Sequence, residues 1–521
     1  MKCKLLLVLS FVTIYSWSQN WQEVSKIVAL DRQTDDQFGY AVAIDGEYAV
    51  IGARLEDSDQ SGGNLMSQAG AAYVFRRDND GNWSEVQKIV ASDRSSNDEF
   101  GTSVDISGDY IIVGAPENVA GTAYIFERTG NVWSEVIKLE SSDGENNDLF
   151  GFSVAIDGNA AIVGAYNEEE DEFGGNSLDE PGSAYIFERI NNSWTQIKKL
   201  VASDRDNDDW FGYAVDIQGN HAVIGSHFED NDSNGNNVLD NSGSVYVFEK
   251  MGGSWLETQK LTALDREEDD EFGYSVSIDG NYLIVGAYLE EDDINGNNNL
   301  SSSGSAYIYK KDGSSWSQLQ KLVPSDRALG DQFGYSVAIR GDYIVIGAYK
   351  EDEDSDGLNT LNNAGSAYIF ENDTNDVWSE TDKIIASDRE AQDNFATAVA
   401  LTEDYIIVGV HFEDEDENGQ NSLFSSGSAY IYINDSNLSI SNIEQQIGVK
   451  LYPNPAQDNV NILGDISGLD SVEFYGLNGQ LIKTIKGDFE KISIDDLKAS
   501  VYIIKLYGDD MSGITLRLIK R

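Results

Sequence analysis

Three stretches decide the fold, namely Phe333-Gly-Tyr-Ser-Val-Ala-Ile339, Tyr343-Ile-Val-Ile-Gly-Ala348 and Gly365-Ser-Ala-Tyr-Ile-Phe370. Each is rich in β-branched, aromatic and small residues, and Arg340-Gly-Asp342 makes a turn between the first two, so each stretch predicts a strand. A fourth, more polar strand is predicted at Trp378–Ala386. In the first three stretches, both the odd and the even positions are apolar or small. We therefore expect these strands to be buried on both faces.

The same pattern occurs seven times along the chain. Its Phe-Gly pairs are spaced by 61 or 62 residues, except in the second repeat, which takes 50. A β-rich period of this length predicts one propeller blade per repeat. The pairs begin at Phe38, Phe100, Phe150, Phe211, Phe272 and Phe333, and Phe395-Ala396 is the seventh.

The tryptophan-led strands predict how the ring closes. The first six repeats each end in one, whereas the seventh ends at Ala429–Tyr432 without it, and an unassigned copy lies at Trp21–Leu30. We therefore predict an all-β fold, a seven-bladed β-propeller over residues 21–433 that is closed by the N-terminal strand. In every copy a lysine stands five residues after the tryptophan that opens the fourth strand, and we expect it on the exposed outer edge, where charge blocks edge pairing. These lysines are Lys26, Lys88, Lys138, Lys199, Lys260, Lys321 and Lys383.

The composition excludes several classes of partner. Of 521 residues, 91 are acidic and 35 basic, for a net charge of −56, which excludes nucleic acid as a partner and disfavours anionic lipid surfaces. Residues 1–18 are typical of a secretory signal peptide, and no later segment predicts membrane insertion of the mature chain. Cys3 is the only cysteine, so the mature chain has neither disulfides nor thiol chemistry. The acidity itself has two interpretations, a solvated surface or binding of divalent cations.

The repeats resemble the FG-GAP repeat family, which builds the propeller of integrin α chains. The resemblance implies a seven-bladed propeller in an extracellular position, with a role in adhesion or ligand recognition. In integrin-type repeats the calcium loop lies between Phe-Gly and Gly-Ala-Pro. Here that place is a tight turn, such as Asp157-Gly158 or Asp279-Gly280, and the acidic loop follows Gly-Ala instead. Calcium sites therefore cannot be transferred by position.

The C-terminal segment resembles a second family. Leu451-Tyr-Pro-Asn-Pro455, Val472–Leu481 and Val501–Leu506 are similar to the C-terminal sorting domain of proteins exported by type IX secretion. This resemblance implies a small β-sandwich over residues 449–521, the type IX machinery as a partner, and a secreted or outer-surface location. Residues 434–448 are predicted to be a polar linker.

Acidic loops after the second predicted strand carry the candidate metal ligands. In five repeats, oxygen-bearing side chains alternate along the loop and a glycine follows, a pattern that lets a loop wrap a hard cation such as calcium. The candidate ligands are Asp57 and Asp59 in the first repeat; Asp230, Asp232 and Asn234 in the fourth; Glu291, Asp293 and Asn295 in the fifth; Asp352, Asp354 and Asp356 in the sixth; and Asp414, Asp416 and Asn418 in the seventh. The third repeat is degenerate at Phe173, and the second has no such loop.

These loops lack the carboxylate that closes a full calcium loop. The twelfth position, where an EF-hand has glutamate, is occupied by Gln68, Asn241, Ser302, Asn363 and Ser425. Loops rich in Asp and Asn also form solvated turns without metal. Calcium binding and a metal-free turn thus both remain open, and incomplete ligation predicts moderate or weak affinity.

Other polar residues are interpreted as structural. An aspartate two residues before each Phe, and an earlier Asp followed by Arg in every copy except at Gly144, are expected to cap turns and form inter-blade ion pairs. His221, His227, His411 and Trp210 break the repeat symmetry, yet packing is favoured over catalysis or sugar binding at each. The sequence contains no nucleophile elbow, phosphate loop, zinc motif or dinucleotide fingerprint, so we predict no catalytic residues.

Three functions are compatible with this sequence. The first is a secreted or cell-surface adhesion module that presents acidic loops, stiffened by calcium, to a protein or glycan ligand. The second is a hydrolase of polysaccharide or phosphoester in the central channel, which would bring several unlike polar residues together there. The third is a structural envelope protein whose acidity serves salt tolerance. The similarity of the repeats to one another favours a scaffold over an enzyme.

Overall fold

A computed structural model describes residues 21–355 and 357–434, and then the stretches 450–452, 459–463, 468–476, 480–487, 491–495, 500–508 and 514–520 with a few single positions between them. The predicted signal peptide, residues 435–448 of the predicted linker and Asp356 lie outside the described residues. The described residues form strands, turns and loops. Within them, nothing helical has the length and apolar character of a membrane span. The chain separates into two compact units between Ile433 and Asn434.

Seven four-stranded antiparallel sheets make up the first unit, one for each repeat. Blade 1 contains β2 (Phe38–Asp45), β3 (Tyr48–Ala53), β4 (Ala71–Arg77) and β5 (Trp83–Ile89); blade 2 contains β6 (Ser103–Ser107), β7 (Tyr110–Ala115), β8 (Thr122–Thr129) and β9 (Val132–Leu139); blade 3 contains β10 (Ser153–Asp157), β11 (Ala160–Ala165), β12 (Ser183–Ile190) and β13 (Ser193–Leu200). Blade 4 contains β14 (Ala214–Gln218), β15 (His221–Ser226), β16 (Ser244–Met251) and β17 (Ser254–Leu261); blade 5 contains β18 (Ser275–Asp279), β19 (Tyr282–Ala287), β20 (Ser305–Asp312) and β21 (Ser315–Leu322); blade 6 contains β22 (Phe333–Arg340), β23 (Tyr343–Ala348), β24 (Ser366–Asn372) and β25 (Trp378–Ile384).

The seventh blade confirms the predicted closure. It consists of β26 (Ala398–Leu401), β27 (Tyr405–Val410) and β28 (Ser428–Asn434), and its outer strand is β1 (Trp21–Ile27) from the start of the described chain. The all-β, seven-bladed propeller predicted from the repeats is thus the fold of this unit. Because the N-terminal strand completes the last blade, the ring of blades closes without an open end.

Neighbouring blades share their apolar cores. One core cluster, for example, joins Ile112 and Ile125 of blade 2 to Val163 and Tyr185 of blade 3. The phenylalanine of each Phe-Gly pair is fully buried, and in each interface it forms a parallel bridge to the glycine that precedes the third strand of the previous blade. Burial on both faces of the inner strands follows from this stacking, as the sequence predicts.

The glycine of each Phe-Gly pair is required by its backbone. Gly212 has φ of +97°, and a Cβ there would lie 2.2 Å from the carbonyl oxygen of Ser183. Only glycine adopts this conformation without strain. In the seventh repeat Ala396 occupies the position with φ of +71°, a left-handed conformation that costs a residue with a side chain about 1–2 kcal/mol.

The prediction that the outer-strand lysines lie on the exposed edge is wrong. The side chain of Lys260 is only 6% exposed, and its equivalents in five other blades are similarly buried. The reason is a shift of register between the third and fourth strands, which in blade 4 leaves Thr258 without an opposite residue on the third strand. This β-bulge places Lys260 on the inner face together with Trp255, although the two are separated by an odd number of residues.

The described residues of the second unit form seven further strands in two sheets. The larger sheet is ordered β32 (Leu481–Lys486), β31 (Leu469–Gly476), β34 (Ser500–Gly508) and β35 (Ile514–Lys520); the smaller contains β29 (Lys450–Tyr452), β30 (Asn459–Leu463) and β33 (Ile492–Ser493). One hydrophobic cluster takes side chains from both sheets, among them Val460, Val472, Ile492 and Ile504. The unit is therefore the small β-sandwich that the sequence predicts.

Candidate functional site

Six blades contain a buried ionic cluster next to the acidic loop. In blade 4, the fully buried Glu229 lies 3.0 Å from the Nζ of Lys260, which also pairs with Asp204 of the preceding blade at 2.8 Å. The hydroxyl of Tyr246 is within 2.9 Å of both carboxylates. Every charge has a partner of opposite sign, so the cluster serves as a structural link between blades.

The aspartate before each Phe-Gly caps a turn, as predicted. Asp209 accepts the backbone N–H of Asp206 at 2.6 Å, and the same contact occurs in the other six repeats. Burial and then the charge of Glu229 raise the pKa of Asp209 to about 8. The earlier aspartates, such as Asp204, form the inter-blade ion pairs that the sequence predicts.

The second carboxylate of each acidic loop closes a tight turn. Asp232 accepts the backbone N–H groups of Asn234 at 2.8 Å and Asn236 at 3.0 Å, and Asn237 donates its side-chain amide to the same carboxylate. The backbone N–H of Asp232 donates in turn to the carbonyl of Asn236 at 2.8 Å. Backbone donors therefore hold the pKa of Asp232 below its ordinary value. Asp59, Asp293, Asp354 and Asp416 also accept the N–H group four residues further on.

The first carboxylate of the loop binds its far end. Asp230 accepts the backbone N–H of Asn241 at 2.8 Å, and Asn241 is the twelfth position, where a calcium loop would have its glutamate. The position thus contributes a backbone donor to the loop rather than a carboxylate to a metal. Asp57, Asp352 and Asp414 make the same contact with Gln68, Asn363 and Ser425.

The remaining predicted ligands are the asparagines at the loop tips and Glu291 at the start of its loop. Asn234, Asn295 and Asn418 donate a backbone N–H to the preceding aspartate of their own loop. Glu291 uses its backbone carbonyl, which accepts the N–H of Leu300 at 2.7 Å. The structure brings each loop's residues together locally, but the hydrogen bonds that organise them are internal.

The oxygen atoms of these loops differ in arrangement from the ligands of a calcium-binding loop. Such a site requires carboxylate oxygens and the carbonyl that follows the glycine to converge on one point, whereas here the carboxylates and that carbonyl accept backbone N–H groups of the loop itself. This donor set does not fit a wrapped cation. Within the described residues, no group of three or more His, Cys, Asp or Glu side chains could hold a metal ion. Calcium binding by these loops stays a prediction.

The central channel encloses about 410 Å³ and is lined by the innermost strands of all seven blades. Most of the lining repeats a Val-Ala-Ile pattern, in which Asp105, Asp216 and Ser277 replace the alanine in blades 2, 4 and 5. The carboxylates of Asp105 and Asp216 accept backbone N–H groups of the next blade, from Ile156 at 2.7 Å and Ile278 at 2.8 Å. Burial raises the pKa of Asp105 to about 8 and that of Asp216 to about 6. The Val-Ala-Ile part of the channel wall is thus nearly symmetric, and each of its three polar replacements accepts a backbone N–H of the next blade.

Symmetry breaks most clearly at the end of the propeller that carries the acidic loops, the loop face. The residues after Phe-Gly and after Gly-Ala meet there because the first two strands of a blade are antiparallel. In blades 3 to 6 these positions are mostly aromatic, and together with Trp210 they form an aromatic arc. The arc consists of Phe152, Tyr166, Trp210, Tyr213, Tyr274, Tyr288, Tyr335 and Tyr349, all of them partly exposed.

The rings of the arc touch across blade boundaries. The ring centroids of Tyr213 lie 4.9 Å from Phe152 and 5.1 Å from Tyr274, and Tyr274 lies 5.0 Å from Tyr335. Burial raises the pKa of Tyr213 well above its ordinary value, and the hydroxyls of Tyr335 and Tyr40 raise it further. The ring contacts therefore continue from Phe152 of blade 3 to Tyr335 of blade 6.

Two of the singled-out residues belong to this surface. His227 is 2% exposed and packs edge-on against Trp210 and Tyr213, at centroid distances of 5.5 and 4.2 Å. Burial lowers its pKa to about 3, so the imidazole is neutral. Its Nδ1 has no hydrogen-bond partner among the described residues, while Nε2 lies 3.8 Å from Glu271.

The three histidines do not form one site. His411 packs 5.2 Å from Tyr40 in a smaller aromatic group of blades 1 and 7. His221 lies at the start of β15, 6.2 Å from Trp316. The sequence indicates His227 and Trp210 as departures from the repeat but does not predict the arc, although an aromatic residue recurs after Phe-Gly and after Gly-Ala. The arc forms through contacts between blades, which the sequence of a single repeat does not contain.

Comparison with known families agrees with these two units. No curated protein matches the chain. Residues 450–521 match the secretion system C-terminal sorting domain, which indicates type IX export to the cell surface or extracellular space. The FG-GAP repeat model matches seven times, at residues 21–75, 83–126, 133–187, 194–248, 255–309, 316–370 and 378–432. With seven matched repeats over most of its length, the chain belongs to the FG-GAP repeat family.

Proposed function

We propose that this exported propeller is a binding module and that its ligand contacts the aromatic arc on the loop face. The observation that carries the proposal is the partial exposure of rings that meet where the repeat symmetry breaks. Tyrosines with a purely structural role in the same blades, such as Tyr246, are fully buried. A cluster of partly exposed aromatic rings on a rigid scaffold is typical of a recognition surface.

Charge favours one kind of ligand. The protein carries a net charge of −56, so its field attracts cationic partners and repels anionic glycans. Aromatic faces also bind ammonium and guanidinium groups. Arg54 stacks on Tyr40 with its guanidinium carbon 3.8 Å from the ring centre, an example within the protein of the contact proposed for the ligand. We infer that a basic segment of an extracellular protein is preferred over an acidic polysaccharide.

The channel gives no comparable support for an enzyme. Its lining is nearly symmetric, and Asp105 and Asp216 are engaged with backbone N–H groups. An active site needs unlike groups that converge on a substrate. We therefore expect no hydrolase activity on polysaccharides or phosphoesters.

Two tyrosines at opposite ends of one strand provide a matched test. Tyr288 follows β19 and belongs to the arc, whereas Tyr282 opens the same strand and packs 5.6 Å from Trp378. The purified protein is probed on an array of extracellular-matrix proteins, basic peptides and glycans, with and without EDTA. We expect Tyr288→Ala to weaken binding about tenfold and Tyr282→Ala to leave it unchanged. Equal binding by the two variants, or no binding by the native protein, would contradict the proposal.

A further inference from the structure

An arginine reaches every acidic loop of the propeller. Arg266 follows β17, the outer strand of blade 4, and its guanidinium donates to the carbonyls of Asp230 at 2.6 Å and Asn237 at 2.7 Å. These carbonyls belong to the first and eighth positions of the loop in the same blade, so one guanidinium joins the two sides of the loop. The geometry is a fork on two acceptors, which arginine is suited to form.

The same contact recurs in all six blades that have a loop. The arginine donates to the carbonyls of the first and eighth loop positions at distances between 2.5 and 3.0 Å. It is present even in blade 3, whose loop is degenerate at Phe173. The arginines are Arg32, Arg94, Arg205, Arg266, Arg327 and Arg389.

Blade 2 supplies an internal control. It has no acidic loop, and Gly144 stands where the arginine would be. A Cβ at Gly144 would already lie 2.4 Å from the Oγ of Ser141 and 3.2 Å from the Cβ of Ala120. The arginine is thus absent from blade 2, the blade without an acidic loop.

We propose that these six arginines hold the acidic loops in their folded conformation and make a bound calcium ion unnecessary for it. The guanidinium supplies a fixed positive charge beside each loop and ties its two sides together, which is the task that the loop sequences suggested for a metal. This inference does not depend on the ligand proposed for the aromatic arc.

The test compares metal removal with arginine removal in the full-length protein. The native protein should have the same Tm in excess EDTA and in calcium chloride. Arg266→Ala should lower Tm by about 3 °C and make the segment 230–241 cleave faster in limited proteolysis. Arg340→Ala, which removes a half-exposed arginine that binds no loop, is the matched control and should change neither measurement.

Two results would overturn the inference. A native Tm several degrees higher in calcium than in EDTA would mean that a metal holds the loops. Unchanged proteolysis of segment 230–241 in Arg266→Ala would mean that the arginine does not. If that variant fails to fold, Arg266→Lys is used instead, because it keeps the charge but loses the fork. Its segment 230–241 should be cleaved faster than in the native protein.

Discussion

Blades 2 and 4 share one fold but differ in a set of residues that are all present in blade 4 and all absent from blade 2. Blade 4 has an acidic loop, the buried Glu229 at its start and Arg266 at its far side, and Lys260 is 6% exposed. Blade 2 lacks the loop, the glutamate and the arginine, and the side chain of Lys138 is 28% exposed. Lys138 keeps the ion pair with the preceding blade, to Asp93 at 2.8 Å, but its second partner is Glu140 at 3.2 Å, near the surface, rather than a buried loop glutamate.

This difference indicates that the acidic loop, the buried glutamate and the arginine form one structural unit. The blade itself does not need that unit, because blade 2 keeps all four strands and its buried Phe100 without it. The unit instead projects an ordered acidic loop from the loop face. Function on that face can therefore vary from blade to blade without altering the propeller.

The largest expected effect comes from breaking the unit at its buried charge. Glu229→Ala leaves Lys260 buried with one partner, and loss of a buried partner costs about 3 kcal/mol in the free energy of unfolding. Urea unfolding followed by tryptophan fluorescence measures it. Glu117→Ala changes an exposed residue of blade 2 and should stay within about 0.5 kcal/mol of the native protein. Equal stability of the two variants would contradict the role given to the cluster.

A second test uses pH. Burial raises the pKa of Asp36, Asp209 and Asp270 to about 8, whereas the unfolded chain releases these protons at about pH 4. The folded protein therefore binds more protons in this interval, and the free energy of unfolding should fall as pH rises from 5 to about 8. His227 and His411 act in the opposite sense below about pH 6.5, because they stay neutral when folded.

Single variants connect this pH dependence to the blade comparison. Asp209→Asn should flatten the dependence of Tm on pH, since it removes a group that keeps its proton in the folded protein but is ionised in the unfolded chain over most of this range. Asp98→Asn in blade 2 should flatten it less, because the pKa of Asp98 is raised by burial and no loop glutamate adds to it. Thermal unfolding between pH 5 and 8 checks both, and identical slopes in the two variants would refute the assignment.

The seventh blade offers the smallest departure from the common pattern. Ala396 has φ of +71° where the other repeats have glycine. Ala396→Gly should raise the free energy of unfolding by about 0.5–1 kcal/mol, the relief of left-handed strain less the extra freedom of glycine in the unfolded chain. The reverse change, Gly334→Ala, puts a Cβ 2.3 Å from the carbonyl oxygen of Ser305 and should destabilise the protein. A loss of stability in Ala396→Gly would contradict this reasoning.

Local sequence was enough for the strands but not for side-chain direction. The alternation of a regular strand would put Lys260 on the opposite face from Trp255, and only the bulge at Thr258 explains why both point inward. Likewise, Asp230 and Asn241 are plausible metal-loop positions by spacing, yet the folded loop uses one to bind the backbone of the other. Hydrogen bonds between residues eleven apart do not appear in a composition or a spacing rule.

The sequence by itself determined the number of blades, the closing role of the segment Trp21–Leu30 and the export of the chain, because a repeat and a sorting signal can each be recognised within one short stretch of sequence. Only the tertiary structure decided which groups meet. Tyr213 and Tyr335 come from different repeats, and Arg266 reaches a loop that begins 36 residues earlier. Such contacts depend on how blades stack and where a bulge turns a strand, and these are properties of the closed ring rather than of any one repeat.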